Sequence, residues 1–311
     1  LLDEVRVRKL AQGIGTAAAL LLAGSAFAQE RTDPDSNIVV RGNKISAKEQ
    51  ARQLVGRMTA PVEGQLARFA DEVCPFVVGF NAEYGAKIDA RIRKIAAEAG
   101  AEPGGKKCVP NLVVAVVDDG REFTRELYRL YPGQFTGMDN GQRKRLLNSQ
   151  ATARSWTVVG LHNEDGQALG LSTASESDTR GDGSSIKFGN GVKVLRVSSA
   201  SIINPPTQQE IELAYVVIET RATLGKKLMQ VADYAAMRGM MRSRPEKLAA
   251  DDNTILRLFE PGVTDGPAAL TPSDRAYLAS LYYGRGNRSA ASQMGQISAA
   301  VAKHIDEPAK P

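Results

Sequence analysis

Apolar positions recur along the chain with two periods, and their alternation sketches a fold. In NAEYGAKIDARIRKIAAEAG, Ile88, Ile92, Ile95 and Ala99 follow one another at steps of four, three and four. That spacing belongs to a helix with one buried face, and Gly100 supplies its stop. CVPNLVVAVVDDG instead holds an almost unbroken apolar run from Leu112 to Val117, which fits a strand covered on both faces. Upstream, SAKEQARQLVGRM opens with Ser46 and has Glu49 three residues on, the spacing of a capping box; its helix should end before Pro61. A first strand is predicted near Leu66–Val73, closed by a turn at Cys74–Pro75. Strand, helix, strand is the order of a βαβ unit.

The later segments extend the pattern. REFTRELYRLYPGQF reads as an amphipathic helix ending at Pro132–Gly133, and DNGQRKRLLNSQ as a polar, partly helical stretch. ARSWTVVGLHNEDGQAL predicts a strand with a turn at residues 163–166. Residues 172–191, rich in Ser, Gly, Asp and Thr, lack either period and predict an exposed loop. VKVLRVSSASIIN and IELAYVVIETRA predict two strands separated by PPTQQE. The final third predicts helices over Leu224–Arg242, Thr271–Tyr283 and Ser289–His304. The expected class is α/β or α+β: a mixed twisted sheet with packed helices, in one globular domain over residues 48–305.

Composition narrows the function. Of 311 residues, 42% are hydrophobic and 24% charged, as in a soluble globular protein. The net charge of +5 is small against 40 basic and 35 acidic side chains, which are interspersed. With aromatics at 5% and no cationic block, nucleic acid is not an expected partner.

The N-terminus resembles an export signal. RVRK (Arg6–Lys9) is a positive region, GTAAALLLAGSA an apolar core too short for a bilayer span, and Ala26-Phe27-Ala28 an A-x-A cleavage box. Residues 1–28 are therefore expected to be removed, 29–47 to form a mobile leader and 306–311 a disordered tail. No later segment is apolar enough to span a membrane. The expected location is the periplasm or the medium. Export favours oxidation, so Cys74 and Cys108, the only two cysteines, are expected to pair.

LTPSDRAYLASLYYG has a plain physical reading. Thr271 is an N-cap, Pro272 sits at N1 where its missing N–H is harmless, and Asp274 sits at N3. Tyr277, Leu278, Leu281 and Tyr282 share a face, and Gly284 ends the helix. The same stretch resembles the last helix of matrixin-like zinc proteases, with a Leu-Thr-x-x-Asp start and a Leu-Tyr-Gly end. The preceding NTILRLFEPG falls where that family carries its methionine turn, and here the methionine is missing. The final third is also similar to exported bacterial proteins of unknown function, in which ADYAAMRGM precedes this helix and GRGNRSAASQMG follows it. Together the resemblances cover roughly residues 211–297.

The resemblance implies a zincin-like shape without its chemistry. A zinc protease needs two imidazoles one helical turn apart and a glutamate beside the first. Gln230, Val231 and Tyr234 stand in those places, and no histidine occurs between His162 and His304. No metal or cofactor is therefore expected. Gln230, Asp233 and Tyr234 become candidates for the floor of a metal-free cleft that could take an extended peptide along a strand edge. Against this stands an ordinary core helix, with Leu228, Val231, Ala232 and Ala235 on its apolar face. Arg285 and Arg288, before the last helix, are candidate anion ligands. Asp118 and Asp119 end a strand, where adjacent side chains diverge. The expected function is a non-catalytic exported protein that binds an envelope protein or peptide through a protease-like scaffold. The alternative is a zinc-independent hydrolase using Asp233, Tyr234 or the Asp118/Asp119 pair.

Overall fold

In the computed structural model the final helices cap themselves as their sequences dictate. The structure describes residues 45–163, 166, 168, 205–264 and 266–307, together with the backbone of four short strands between 170 and 194. The expected signal peptide and almost all of the leader lie outside the described residues, as do residues 308–311.

The chain runs through α1 (Ala47–Met58), β1 (Pro75–Val78), α2 (Ala82–Ala99), β2 (Leu112–Val117), α3 (Gly120–Leu130), α4 (Asn140–Asn148) and β3 (Ala153–Asn163). Then come β4 (Gly170–Leu171), β5 (Ser177–Thr179), β6 (Ser185–Lys187), β7 (Lys193–Val194) and β8 (Thr207–Glu219). A single turn, α5 (Thr220–Thr223), leads to α6 (Leu228–Met240), α7 (Pro272–Tyr283) and α8 (Ala290–Val301). All described residues fall in the compact unit Ile45–Pro311.

The main sheet has the order β1-β2-β8-β3. β1, β2 and β8 are parallel, with Pro75 opposite Leu112 and Leu112 opposite Ala214. β3 runs antiparallel to β8, with Trp156 opposite Tyr215 and a register shift between Val158 and Val159. The class is thus mixed α/β, a mixed sheet with helices packed on it. β4 pairs with β7 and β5 with β6 in separate antiparallel ladders.

β2 is covered on both faces, as its unbroken apolar run requires. Leu112, Val114 and Val116 enter the larger core with Ile88, Ile92 and Ile95 of α2 and Val231 and Ala235 of α6. Ala115 enters a smaller core on the opposite face with Phe135, Trp156, Tyr215 and Val217. Phe135, Trp156 and Tyr215 form a stack, with ring centres 4.9 and 4.6 Å apart. α2 is capped by Asn81 and ended by left-handed Gly100.

Two expectations about strands are corrected. The first strand is Pro75–Val78, not Leu66–Val73. Leu66, Ala67, Phe69 and Val73 are buried, but their segment makes only isolated bridges, at Arg68 with Glu210 and at Val73 with Pro103. The apolar residues there signal burial of a connector rather than a strand. Pro75 is tolerated because β1 is an edge strand and Pro75 its first residue. The second correction is at β8, which begins at Thr207 and absorbs the TQQE expected to be a connector. The stretch 172–191, expected to be an exposed loop, contains β5 and β6.

The two ends of this unit are tied together. The Arg68 guanidinium donates to the carbonyls of Leu281, Tyr282 and Gly284 at the end of α7, at 2.6, 2.8 and 2.6 Å. Thr59 and Tyr277 share a hydrogen bond of 2.9 Å, and Arg57 clasps Asp252. α1 packs on α8.

Candidate functional site

Alternation in a strand decides which backbone groups the sheet uses. Ala214 N donates to Asn111 O (2.8 Å) beside β2, whereas Glu219 N donates to Thr152 O (2.7 Å) on the β3 side. Tyr215, Val217 and Glu219 therefore turn their backbone groups to β3, where Trp156 and Arg154 receive them. The intervening residues of an antiparallel pair point outward, so Ser155 and Thr157 turn their N–H and C=O groups away from β8. Past the register shift, Val159 lies opposite Ile211. Ile211 gives its own N–H to Arg68 O, away from β3, so Val159 also faces outward. Among the described residues no strand pairs with this edge over Ala153–Leu161; the next residue, His162, is bridged by Ala168.

A groove of about 440 Å³ lies against that edge, lined by Ser155, Trp156, Thr157 and Val159. That volume is within the range of ligand clefts, about 300–1,000 Å³. One wall is α4 and the segment before it, with Met138, Gln142, Arg145 and Leu146. The other is a short ribbon in which Ala60 N donates to Arg242 O (3.0 Å) and Arg244 N to Met58 O (2.9 Å). The ribbon leaves the end of α6, so the groove adjoins the helix singled out by the sequence, beyond its last turn.

Arg242 is half-buried in this wall. Its guanidinium makes no hydrogen bond or ion pair with the described residues, and burial holds its pKa below the ordinary value. Arg145 is exposed on the facing wall. Arg244 donates to Gly56 O (2.9 Å) while its buried Nε lacks a partner among the described residues. Two carboxylates also reach the groove, Glu63 and Glu246; Glu63 accepts from Gln209 at 3.2 Å.

Glu63 is conformationally unusual. It has φ of 45° and Gly64 has φ of 79°, inside a two-residue turn closed by reciprocal Val62–Gln65 hydrogen bonds of 2.9 Å. Two positive φ values in such a turn are ordinary for Asn-Gly and strained for a Glu, by about 1–2 kcal/mol. This turn lies at the rim of the groove. The sequence signal is the short PVEGQ between two apolar stretches, which carries neither the helical nor the strand period.

The residues chosen from sequence lie elsewhere. Asp233 is fully buried; Arg91 grips both its oxygens, at 2.6 and 2.9 Å, and Leu270 N donates to it at 2.7 Å. Tyr234 is buried with its ring edge-on to Phe259, 4.6 Å between centres, and burial raises its pKa. Gln230 accepts from Lys227 N (3.0 Å) and donates to Pro267 O (2.8 Å). Every residue from Gln230 to Met240 is buried. The three thus join the core contacts of α6, and none of them lines the groove.

Arg285 and Arg288 offer their carbonyls, with that of Gly286, to the Gln293 amide at 3.0–3.1 Å. This loop leads into Ser289, the cap of α8. Asp119 caps α3 through Glu122 N at 2.8 Å, a bond that holds its carboxyl below the usual range. Asp118 borders a cavity of about 290 Å³ with Arg121 and the Arg154–Glu219 pair, 3.1 Å apart. His162 lies between Glu210 and Glu212, at 3.5 and 3.8 Å. Among the described residues no three His, Cys, Asp or Glu side chains are spaced to hold a metal ion, and no helix is long and apolar enough to cross a membrane. Cys74 and Cys108 form a disulfide.

No protein family, curated protein or solved structure matches this chain.

Proposed function

We propose that this chain is a binding protein that accepts an extended segment of a partner as a fifth strand on β3. The observation carrying this is the coincidence of Ser155, Thr157 and Val159, whose backbone groups point off the sheet, with the floor of the groove. An exposed sheet edge pairs with a peptide through main-chain hydrogen bonds, while flanking pockets select side chains. Phe135 and Tyr215 sandwich the Trp156 ring at that edge. The disulfide supports an oxidising compartment, and with the signal-like N-terminus it favours the periplasm. The protease-like motif of Leu270–Gly284, without imidazoles at Gln230 and Tyr234, favours a non-catalytic scaffold that retains a peptide groove.

Trp156 is the only tryptophan and lines the groove, so its fluorescence reports occupancy. An array of overlapping eight-residue peptides from envelope proteins would be screened by that signal. The tightest ligand is expected to lose binding when its alternate amides are N-methylated. Thr157→Pro, which removes an outward N–H at an edge position where proline is tolerated, is expected to fold and to bind at least tenfold more weakly. Undiminished binding by both the methylated peptide and the proline variant would refute strand addition.

A further inference from the structure

Resting on the strand-addition reading, we propose that the added segment is acidic and that its Asp or Glu side chains reach Arg242 on one wall of the groove and Arg145 on the other. The argument begins with placement. The two arginines stand on opposite walls, one on the ribbon after α6 and one on α4. An extended segment turns successive side chains to opposite faces. Neighbouring carboxylates on such a segment would therefore meet one wall each.

Charge then selects the occupant. A half-buried guanidinium is costly unless an anion answers it. Elsewhere in this unit carboxylates answer Arg57 (Asp252), Arg91 (Asp233) and Arg154 (Glu219), while Arg68 is answered by three carbonyls at the end of α7. Among the described residues Arg242 has no such partner, and none of their acids is close enough to offset the burial that lowers its pKa. The acids in the groove do not neutralise it. Glu63 is turned to Gln209, and Glu246 makes no ion pair among the described residues. Arg145 on α4, exposed, likewise has no ion pair among the described residues. A carboxylate arriving with the partner would complete the half-buried Arg242 with a charge-assisted hydrogen bond, stronger than a neutral one.

The test uses the full chain and four synthetic eight-residue probes, read by Trp156 fluorescence and calorimetry. The first carries adjacent Glu residues at its centre and an amidated C-terminus. The second replaces those Glu by Gln. The third is the Gln peptide with a free C-terminal carboxylate. The fourth is the Glu peptide with alternate amides N-methylated. The first is expected to bind roughly tenfold or more tightly than the second, the gain of one charge-assisted bond. That preference should shrink at high salt and vanish in Arg242→Gln. Arg145→Gln, at an exposed position that leaves folding intact, should reduce it severalfold. Equal binding of the Glu and Gln peptides, or a preference that survives in both variants, would overturn the acidic-segment proposal while leaving strand addition standing. A gain found only with the free C-terminus would overturn it in favour of terminal-carboxylate capture. A Glu peptide that binds equally well when N-methylated would overturn strand addition itself.

Discussion

Arg91 of α2 and Asp233 of α6 face each other as a two-point ion pair in the core, with Leu270 N completing the carboxylate. This pair fastens two helices that pack on the same face of the sheet to the segment leading into α7. Replacing Asp233 by Ala strands a guanidinium and a backbone N–H in the interior. The expected cost is about 3–5 kcal/mol, the usual result of breaking a buried pair from one side. Urea unfolding would show it as a lower midpoint, with peptide affinity of the folded fraction unchanged. A variant that unfolds normally but no longer binds would return Asp233 to the binding site.

The disulfide between Cys74 and Cys108 closes a loop with a sequence separation of 34, joining the start of β1 to the approach of β2. In the chain-entropy account, opening a loop of this size loses about 3–4 kcal/mol. Denaturant midpoints with and without reductant measure it. Alkylation followed by mass analysis should find two reactive thiols only after reduction. Thiols reactive in the untreated protein would show that the bridge does not form.

Glu260 makes no ion pair among the described residues, and burial raises its pKa above the usual carboxylate range; Glu246 adds to this, while Arg238 and Arg257 oppose it. Below the unfolded value of about 4.3 the carboxyl is neutral in both states, and its contribution to stability is fully present. As pH rises through the folded value, the native state must hold a poorly solvated charge and that contribution is lost. Glu260→Gln should therefore match the parent near pH 4 and melt at a higher temperature than the parent at pH 7 to 8. A difference in melting temperature that does not grow with pH would contradict this.

The elements with strong local codes were legible in the sequence. The Ile88–Ile92–Ile95–Ala99 stripe, the Leu112–Val117 run and the Thr271-Pro272-Ser273-Asp274 cap each determine their own geometry, and each is found as expected. β1 was misplaced because burial of Leu66–Val73 looks like a strand when partners are unknown. α6 misled differently. Its apolar stripe is visible, but Gln230 and Asp233 lie off that stripe and read as the floor of a cleft. Their burial depends on Pro267, Arg91 and Leu270, which only tertiary structure brings near. The groove was illegible for the same reason: its walls come from Ala60–Glu63, Met138–Leu146 and Met241–Glu246, and no periodicity links them. That β3 is an edge strand is a fact of topology, unavailable from its own residues.

The clasp of Arg68 on the end of α7 spans 213 positions, and Thr59–Tyr277 and Arg57–Asp252 bridge comparable distances. The earliest described helix therefore has no completed packing surface until the last one exists. A nascent chain emerging from the ribosome could not close its larger core before synthesis was nearly finished, since distant contacts must be made before they stabilise anything. Shortened products ending before residue 270 should consequently remain open, and limited proteolysis of such fragments would show the larger core accessible throughout.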